Sequence, residues 1–323
     1  MLYLNEKDIT ELHSNWQETI DTIEKAVRVM ADNEYSQPIK PYLRYGNLQN
    51  RIIAMPSFAG GDINMAGIKW IASFPNNINI GVNRASSVVI LNNAETGQVE
   101  SIINTSLLSA IRTASVTGLM IKYFLKSKKN KDINVGIIGF GPIGQQHLKM
   151  CDSILGDNVA NYYLYDKRPV ITQNDVAKMT KCNTIIADNW TEVYENADIF
   201  ICCTVTDEPY IDTEPKKGAL ILNVSLRDFK NESYEFLKNN IIVDDWDEVC
   251  RENTTIEIWN KAFGLKKENT KSIIDVVFNK QMEKYNPNDN VMFNPMGMGV
   301  FDIAISTYFY RKAKQENIGY IND

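Results

Sequence analysis

The sequence predicts an α/β protein in which a doubly wound parallel sheet is joined to a discontinuous α+β domain. From residue 133 onward, short apolar strands alternate with helical segments, which is the pattern of a doubly wound sheet. Before residue 104, several strands follow one another through turns without a helix between them, which predicts a largely antiparallel sheet. A basic run at 126–131 separates these two patterns.

We therefore expect a domain at 1–128, a second domain at 129–293, and a C-terminal segment at 294–323 whose helix returns to the first domain. A chain of 323 residues is long enough to bury a core in each domain. Apolar residues at helical spacing predict one opening helix at 9–30 and a final helix at 301–316. The predicted strands lie at 51–56, 66–73, 86–91, 99–103, 133–138, 162–165, 184–186, 199–203, 219–224 and 241–244.

The composition of the chain excludes several classes of binding partner. A net charge of −6, from 40 acidic and 34 basic residues, provides no field that would attract nucleic acid or an anionic membrane. The N-terminus has no signal-peptide pattern, and the five cysteines include no C-x-x-C pair, so we expect a cytoplasmic protein. Only two histidines are present, which leaves little material for a metal site or a Ser-His-Asp triad, and we expect no metal.

A glycine-rich turn follows the strand at 133–138. Gly139, Gly141 and Gly144 form a G-x-G-x-x-G pattern, in which they allow a tight turn, the approach of a pyrophosphate and close helix–strand packing. Asp166 ends the next strand, 22 residues after Gly144, where an acid can accept both hydroxyls of an adenosine ribose. This pattern predicts a Rossmann-type domain that binds NAD, because the charge of Asp166 would repel the 2′-phosphate of NADP. Arg168, two residues later, weakens the preference for NAD over NADP, because an arginine there can accommodate the 2′-phosphate.

Ligands of such sheets bind beyond the carboxyl ends of the strands. Two segments, 204–207 and 223–228, lie in that position, and the second contains Asp228, a candidate acid/base. The alternative is a surface pair between Asp228 and Arg227. The predicted cofactor-binding residues are Gly139, Gly141, Pro142, Ile143, Gly144, Asp166, Thr204, Thr206 and Ser225.

Three cations stand in unusual surroundings. Arg44 ends a proline-containing extended arm, Lys69 lies within an apolar strand, and Arg112 interrupts an apolar helix. A cation in such surroundings usually has an anionic partner, either a structural carboxylate or a substrate. Lys69 is either an outward-facing strand residue or a cation that points into a cleft, since the strand period alone does not decide.

These residues resemble the ornithine cyclodeaminase/mu-crystallin family of NAD(P)-dependent enzymes over nearly the whole chain. The Arg44 arm, the segments 67–69 and 109–114, the Gly139 turn and Asp228 occur in the order and spacing of that family. The resemblance implies that Arg44, Lys69 and Arg112 hold the α-carboxylate of the substrate. It also implies that Asp228 is the acid/base beside the nicotinamide, and that the substrate domain pairs through its sheet in a homodimer.

The segments 37–44, 84–86, 203–211, 243–246 and 294–298 are similar to one branch of this family, which produces 2,3-diaminopropionate for siderophores or peptide natural products. That branch oxidises N-(2-amino-2-carboxyethyl)-L-glutamate with NAD, releasing 2-oxoglutarate. The resemblance implies catalysis by Asp228 and Lys69, with Lys40 and Arg84 as further cations for an amino-acid conjugate that has three carboxylates. The segment around Asp228 departs from the cyclodeaminase pattern. An ornithine cyclodeaminase, a cyclic-imine (ketimine) reductase and a non-catalytic NAD(P)-binding protein stay open as alternatives.

Overall fold

The computed structural model describes residues 1–13, 15–127, 132–206 and 208–321. Two compact units are present, Met1–Arg112 with Gly297–Asp323, and Thr113–Met296. The domain boundary expected between residues 128 and 129 falls outside the described residues, and both expected boundaries stay predictions. The division into compact units instead falls within one helix, Leu107–Ser127, which runs without a break through residue 112.

The first unit begins with a short strand and two helices. Asn5 caps the first helix in a capping box with Asp8, and Asn15 caps the second by accepting a hydrogen bond from the Gln17 N–H. The single opening helix predicted at 9–30 is therefore wrong, because Asn15 starts a new helix; Ser14 lies outside the described residues. The elements are β1 (Leu2–Leu4), α1 (Glu6–Leu12), α2 (Trp16–Ala31), β2 (Tyr35–Ser36), β3 (Tyr42–Leu43), β4 (Arg51–Ala59), β5 (Met65–Ser73), β6 (Ala85–Asn93), β7 (Val99–Asn104) and α3 (Leu107–Ser127).

The second unit alternates strands with helices. Its elements are β8 (Ile133–Ile138), α4 (Pro142–Leu155), β9 (Val159–Tyr165), α5 (Gln173–Val176), β10 (Thr184–Ile186), α6 (Trp190–Asn196), β11 (Ile199–Cys202), β12 (Leu220–Asn223), α7 (Tyr234–Leu237), β13 (Ile241–Val243), α8 (Trp246–Val249), α9 (Thr255–Phe263), β14 (Thr270–Ser272), α10 (Ile273–Phe278) and β15 (Val291–Asn294). The chain then returns to the first unit as α11 (Gly299–Glu316) and β16 (Tyr320–Ile321).

In the first unit the strand order is β16-β1-β7-β6-β5-β4-β2, with β3 also paired to β4. Strands β4 to β7 are antiparallel neighbours, as predicted. Helix α11 packs against β4, β5 and α2. The register aligns Met55, Lys69 and Val89 across three strands, and all three side chains are buried. Lys69 therefore lies on the covered face of this sheet and not on its outward face.

In the second unit all eight strands are parallel, in the order β10-β9-β8-β11-β12-β15-β13-β14. The chain runs from β8 to β9 and β10 on one side, and then continues with β11 on the other side of β8. This reversal places a topological switch point at the carboxyl ends of β8 and β11, where ligands of such sheets bind. The predicted doubly wound parallel sheet is confirmed. Two of its strands, β14 and β15, were not predicted. No helix in the described ranges is long and apolar enough to cross a lipid bilayer.

Candidate functional site

The three glycines of the turn after β8 have the geometry that a dinucleotide-binding turn requires. Gly139 has a φ of +84°, and a Cβ there would lie 2.6 Å from the Cys203 carbonyl oxygen. A Cβ on Gly144 would lie 2.1 Å from the Gly139 carbonyl oxygen, so helix α4 approaches the turn too closely for any side chain. A Cβ on Gly141 would meet nothing within 4 Å. The turn is therefore closed toward the protein and open at Gly141, which fits a pyrophosphate.

Helix α4 begins at this open position. Gly141 is its N-cap and supplies no side-chain hydrogen bond, and Pro142 occupies the first turn. The first N–H groups of a helix lack partners within the helix, and the helix dipole favours negative charge there. Together with the open space at Gly141, this N-terminus fits the phosphates of a dinucleotide.

Asp166 follows β9 and binds the glycine turn directly. One carboxylate oxygen accepts a hydrogen bond from the Phe140 N–H at 2.8 Å, and the other accepts one from the Arg168 N–H at 2.9 Å. The exposed Arg168 guanidinium lies 3.3 Å from the same carboxylate. Asp166 therefore connects the end of β9 to the turn. Its predicted contact with a ribose stays a prediction.

Asp228 is fully buried in the loop after β12. Its two carboxylate oxygens accept hydrogen bonds from the hydroxyls of Thr204 and Ser225. The Arg227 guanidinium instead donates to the carbonyl oxygens of Glu252 and Ser225. The alternative of a surface pair between Asp228 and Arg227 is therefore wrong, because Asp228 has no exposed surface.

The backbone before Asp228 is unusual. Leu226 has a φ of +69°, a left-handed conformation that side-chain-bearing residues rarely adopt. Its N–H donates to the Asn223 side chain at 3.0 Å, and its carbonyl accepts the Thr255 N–H at 2.7 Å. These bonds fix the loop that carries Asp228.

Two of the predicted substrate cations share one carboxylate, which the sequence interpretation did not identify. Asp302 Oδ1 accepts hydrogen bonds from Lys69 Nζ at 2.9 Å and from Arg112 Nε at 2.9 Å. Lys69 Nζ also donates to Ser109 Oγ at 2.7 Å. Asp302 is 3% exposed, and its second oxygen, Oδ2, has no hydrogen-bond partner within the described part of the chain. Of the two anionic partners expected for Arg112, a structural carboxylate or a substrate, the structure contains the first, Asp302.

The charged groups of this cluster shift one another's pKa values. Burial lowers the pKa of Lys69 to about 8, and the charge of Asp302 opposes this shift. Burial favours the neutral acid at Asp302, but the positive charges of Arg112 and Lys69 outweigh it and hold the pKa of Asp302 below its usual value. Two cations against one carboxylate leave an excess of positive charge, which suits an anionic ligand.

Lys40 and Gly297 adjoin the same cluster. Lys40 is buried, contributes to lowering the pKa of Lys69, and donates to the Gly297 carbonyl oxygen at 2.6 Å. Gly297 has a φ of +81°, and a Cβ there would lie 2.6 Å from Arg112 Nη1. Gly297 is therefore a further residue of the cluster. The sequence marked its segment, 294–298, only by resemblance and assigned it no contact, because only the folded chain brings Gly297 to Arg112.

The other predicted residues lie as follows. Arg44 is exposed, and its guanidinium lies 4.9 Å from the centroid of the Tyr42 ring. Arg84 is half-buried just before β6. The Thr206 hydroxyl bonds to the Glu208 carbonyl at 2.5 Å, while Asp207 lies outside the described residues. The first unit thus brings together Lys40, Lys69 and Arg112, and the second brings together Thr204, Ser225 and Asp228.

Comparisons with known proteins identify similar sequences and structures. The family model described as the ornithine cyclodeaminase/mu-crystallin family matches residues 2–317. The N-((2S)-2-amino-2-carboxyethyl)-L-glutamate dehydrogenase of Staphylococcus aureus (strain NCTC 8325 / PS 47) is 35% identical over 333 aligned positions, covering 99% of this chain and 97% of that protein.

Two solved structures share the fold. The Thermococcus litoralis Δ1-pyrroline-2-carboxylate reductase in complex with NADH and L-proline superposes with a TM-score of 0.87 at 22% identity, covering 100% of both chains. An archaeal alanine dehydrogenase dimer with bound NAD superposes with a TM-score of 0.86 at 21% identity, covering 100% of this chain and 99% of that chain. The predicted fold class and the predicted family resemblance are both confirmed.

Proposed function

Because the chain belongs to the ornithine cyclodeaminase/mu-crystallin family, we propose that it is an NAD-dependent dehydrogenase that acts on a secondary amine. The proposed substrate is N-(2-amino-2-carboxyethyl)-L-glutamate, and the products are 2-oxoglutarate and L-2,3-diaminopropionate. The observation that carries this choice is the 35% identity, over nearly the full length of both chains, to a Staphylococcus aureus dehydrogenase named for this substrate.

NAD is the proposed cofactor. Its phosphates would lie at Gly141 and the N-terminus of α4, and Asp166 would bind the ribose once the carboxylate turns toward it. When bound, NAD supplies the acceptor for the hydride that leaves the substrate carbon next to the amine. The bound NADH and NAD of the two similar structures support this assignment.

The substrate carboxylates are assigned to the cations of the first unit. Lys69 and Arg112 would bind the α-carboxylate, because their shared partner Asp302 leaves the pair with excess positive charge and fixes both groups. A planar guanidinium such as that of Arg112 suits a carboxylate in two-point contact. Arg44 is proposed for the same carboxylate, as the family resemblance implies, and Lys40 and Arg84 are proposed as further cations for a substrate with three carboxylates.

Asp228 is assigned the proton transfers. Its carboxylate takes the proton of the secondary amine as the carbon–hydrogen bond breaks, which leaves an imine between the two halves of the substrate. Asp228 then assists the addition of water to the imine carbon, and the carbinolamine breaks at its carbon–nitrogen bond. In sum, the substrate, NAD⁺ and water give 2-oxoglutarate, L-2,3-diaminopropionate, NADH and a proton. Thr204 and Ser225 hold the carboxylate in place through their hydroxyls.

A homodimer is also proposed. Trp70 follows Lys69 in β5 and so points to the opposite face of the sheet, where it is 44% exposed. We propose that this face of the sheet pairs with a second copy of the chain. The similar archaeal alanine dehydrogenase is a dimer. The proposed setting is the biosynthesis of a siderophore or a peptide natural product.

The test is a substrate comparison. The purified protein is incubated with NAD and either the proposed conjugate, L-ornithine or L-proline, and NADH, 2-oxoglutarate and ammonia are measured. We expect NADH and 2-oxoglutarate in equal amounts from the conjugate alone. Ammonia and proline from ornithine would favour a cyclodeaminase, and NADH from proline would favour a cyclic-imine reductase, the activity of the similar Thermococcus litoralis protein. Binding of NAD without any turnover would favour a non-catalytic role.

A further inference from the structure

A second group of cations lies in the first unit, apart from the Lys69 cluster. Two guanidinium groups lie near the Tyr42 ring, with Arg44 Cζ at 4.9 Å and Arg51 Cζ at 5.9 Å from its centroid. Arg51 Nε is buried and has no hydrogen-bond partner within the described ranges. A buried donor without an acceptor is destabilising, so a ligand that brought an acceptor to the half-buried Arg51 guanidinium would supply what the described residues do not.

Strand register puts this group on the same face of the sheet as Lys69. Arg51 pairs with Ser73, and Lys69 lies four residues before Ser73 in β5, so alternation returns both side chains to one face. Tyr42 pairs with Ile53, two residues after Arg51, and shares that face. The backbones of Arg51 and Lys69 are therefore separated by about 13 Å along the strands.

The chemistry of the group points to a carboxylate. A guanidinium over an aromatic ring, such as that of Arg51, can donate its N–H groups to a carboxylate that lies in its own plane. Lys69 Nζ is already held by Ser109 and Asp302, so it does not turn toward Arg51. A ligand that contacts both Lys69 and Arg51 must then carry anionic groups at two separated positions.

We propose that Arg51, beside Tyr42, forms a subsite for a second carboxylate of the substrate. This inference rests on the proposed function, because it names the residue that recognises a di- or tricarboxylate. The subsite selects against substrates with one carboxylate, such as proline or alanine, because these would leave Arg51 without an acceptor.

The test compares two ligands that differ in one carboxylate. 2-Oxoglutarate has a distal carboxylate, whereas 2-oxobutyrate has the same oxo-acid end without it. Both are titrated calorimetrically, with and without NADH, against the full-length wild type, R51A and R51K. We expect R51A to weaken binding of 2-oxoglutarate about tenfold or more, the scale for a lost hydrogen bond between charged groups, and to leave binding of 2-oxobutyrate unchanged. R51K keeps the charge, so its affinity for 2-oxoglutarate should lie between those of the wild type and R51A.

The matched control is R28A, which removes a cation from the exposed side of α2 in the same unit. It should bind both oxo acids as the wild type does, and thermal unfolding checks that every variant is folded. Equal losses for both ligands in R51A, unchanged binding of 2-oxoglutarate, or no binding of 2-oxoglutarate by the wild type would each overturn the subsite. The proposed function is contradicted by a different result, the absence of NADH when the wild type is incubated with NAD and the conjugate. The comparison of the two oxo acids still decides the role of Arg51 in that case.

Discussion

Asp302 Oδ1 lies 2.9 Å from Lys69 Nζ, and both side chains are almost completely buried. The same oxygen lies 2.9 Å from Arg112 Nε. One atom from the C-terminal helix thus sets the spacing of two cations that come from a strand and from another helix. In the proposed enzyme, Asp302 positions the groups that bind the carboxylate and does not itself react.

Replacing Asp302 with asparagine should weaken substrate binding. The amide keeps the shape but loses the charge that holds both cations, so we expect KM to rise about tenfold or more while kcat changes much less. Because the charge of Asp302 raises the pKa of Lys69, its loss should also move the alkaline limit of ligand binding to lower pH. Asp32→Asn, an exposed acid of the same unit, is the control. An unchanged pH profile would leave Asp302 with a structural role alone.

Ligand binding should weaken as pH rises through about 8, the lowered pKa of Lys69. Below this pH the amine is protonated and attracts a carboxylate, and above it the amine is neutral. The affinity for 2-oxoglutarate, which has no amine that titrates in this range, should be measured from pH 6.5 to 9.5. Lys69→Arg keeps its charge throughout and should flatten the curve. The same decline in this variant would assign the pH effect to another group.

Asp228→Asn should retain NAD and lose turnover. The amide can still bond with Thr204 and Ser225, but it cannot accept the amine proton, so we expect kcat to fall about a hundredfold. NAD affinity, measured by calorimetry, should change by less than about twofold. Turnover close to that of the wild type would remove Asp228 from the proposed mechanism.

Cofactor choice should depend on Asp166. The wild type should have a higher kcat/KM with NAD than with NADP, because a carboxylate at this position repels a 2′-phosphate. Asp166→Ala leaves the exposed Arg168 free of its carboxylate partner and should raise the relative activity with NADP about tenfold or more. A preference of the wild type for NADP would show that Arg168 outweighs Asp166.

Local patterns predicted much of the fold. The sequence predicts the strand before Gly139, the turn itself and Asp166, because the residues of a dinucleotide-binding motif lie close together in the sequence. Strand β15 was not predicted, because it is only four residues long, follows a charged region without a clear period, and gains its place between β12 and β13 from tertiary pairing.

The arrangement of the cations was predicted only in part. The sequence placed Lys69 and Arg112 in apolar surroundings and required a partner, but Asp302 is 233 and 190 residues away from them. Its one signal was that it lies between Phe301 and Ile303 in an apolar helix, the same anomaly that had marked Arg112. The sequence predicts Arg51 only as the start of a strand, since its relation to Tyr42 depends on strand register.

The position of Asp302 in α11, after every strand of the second unit, also has a consequence for biosynthesis. A ribosome makes Lys69 and Arg112 long before it makes the carboxylate that neutralises them, and every strand of the second unit emerges before α11 does. Two buried cations without their carboxylate oppose closure of the first unit's core. We therefore expect the second unit to fold before α11 emerges from the ribosome, whereas the first unit must wait for α11.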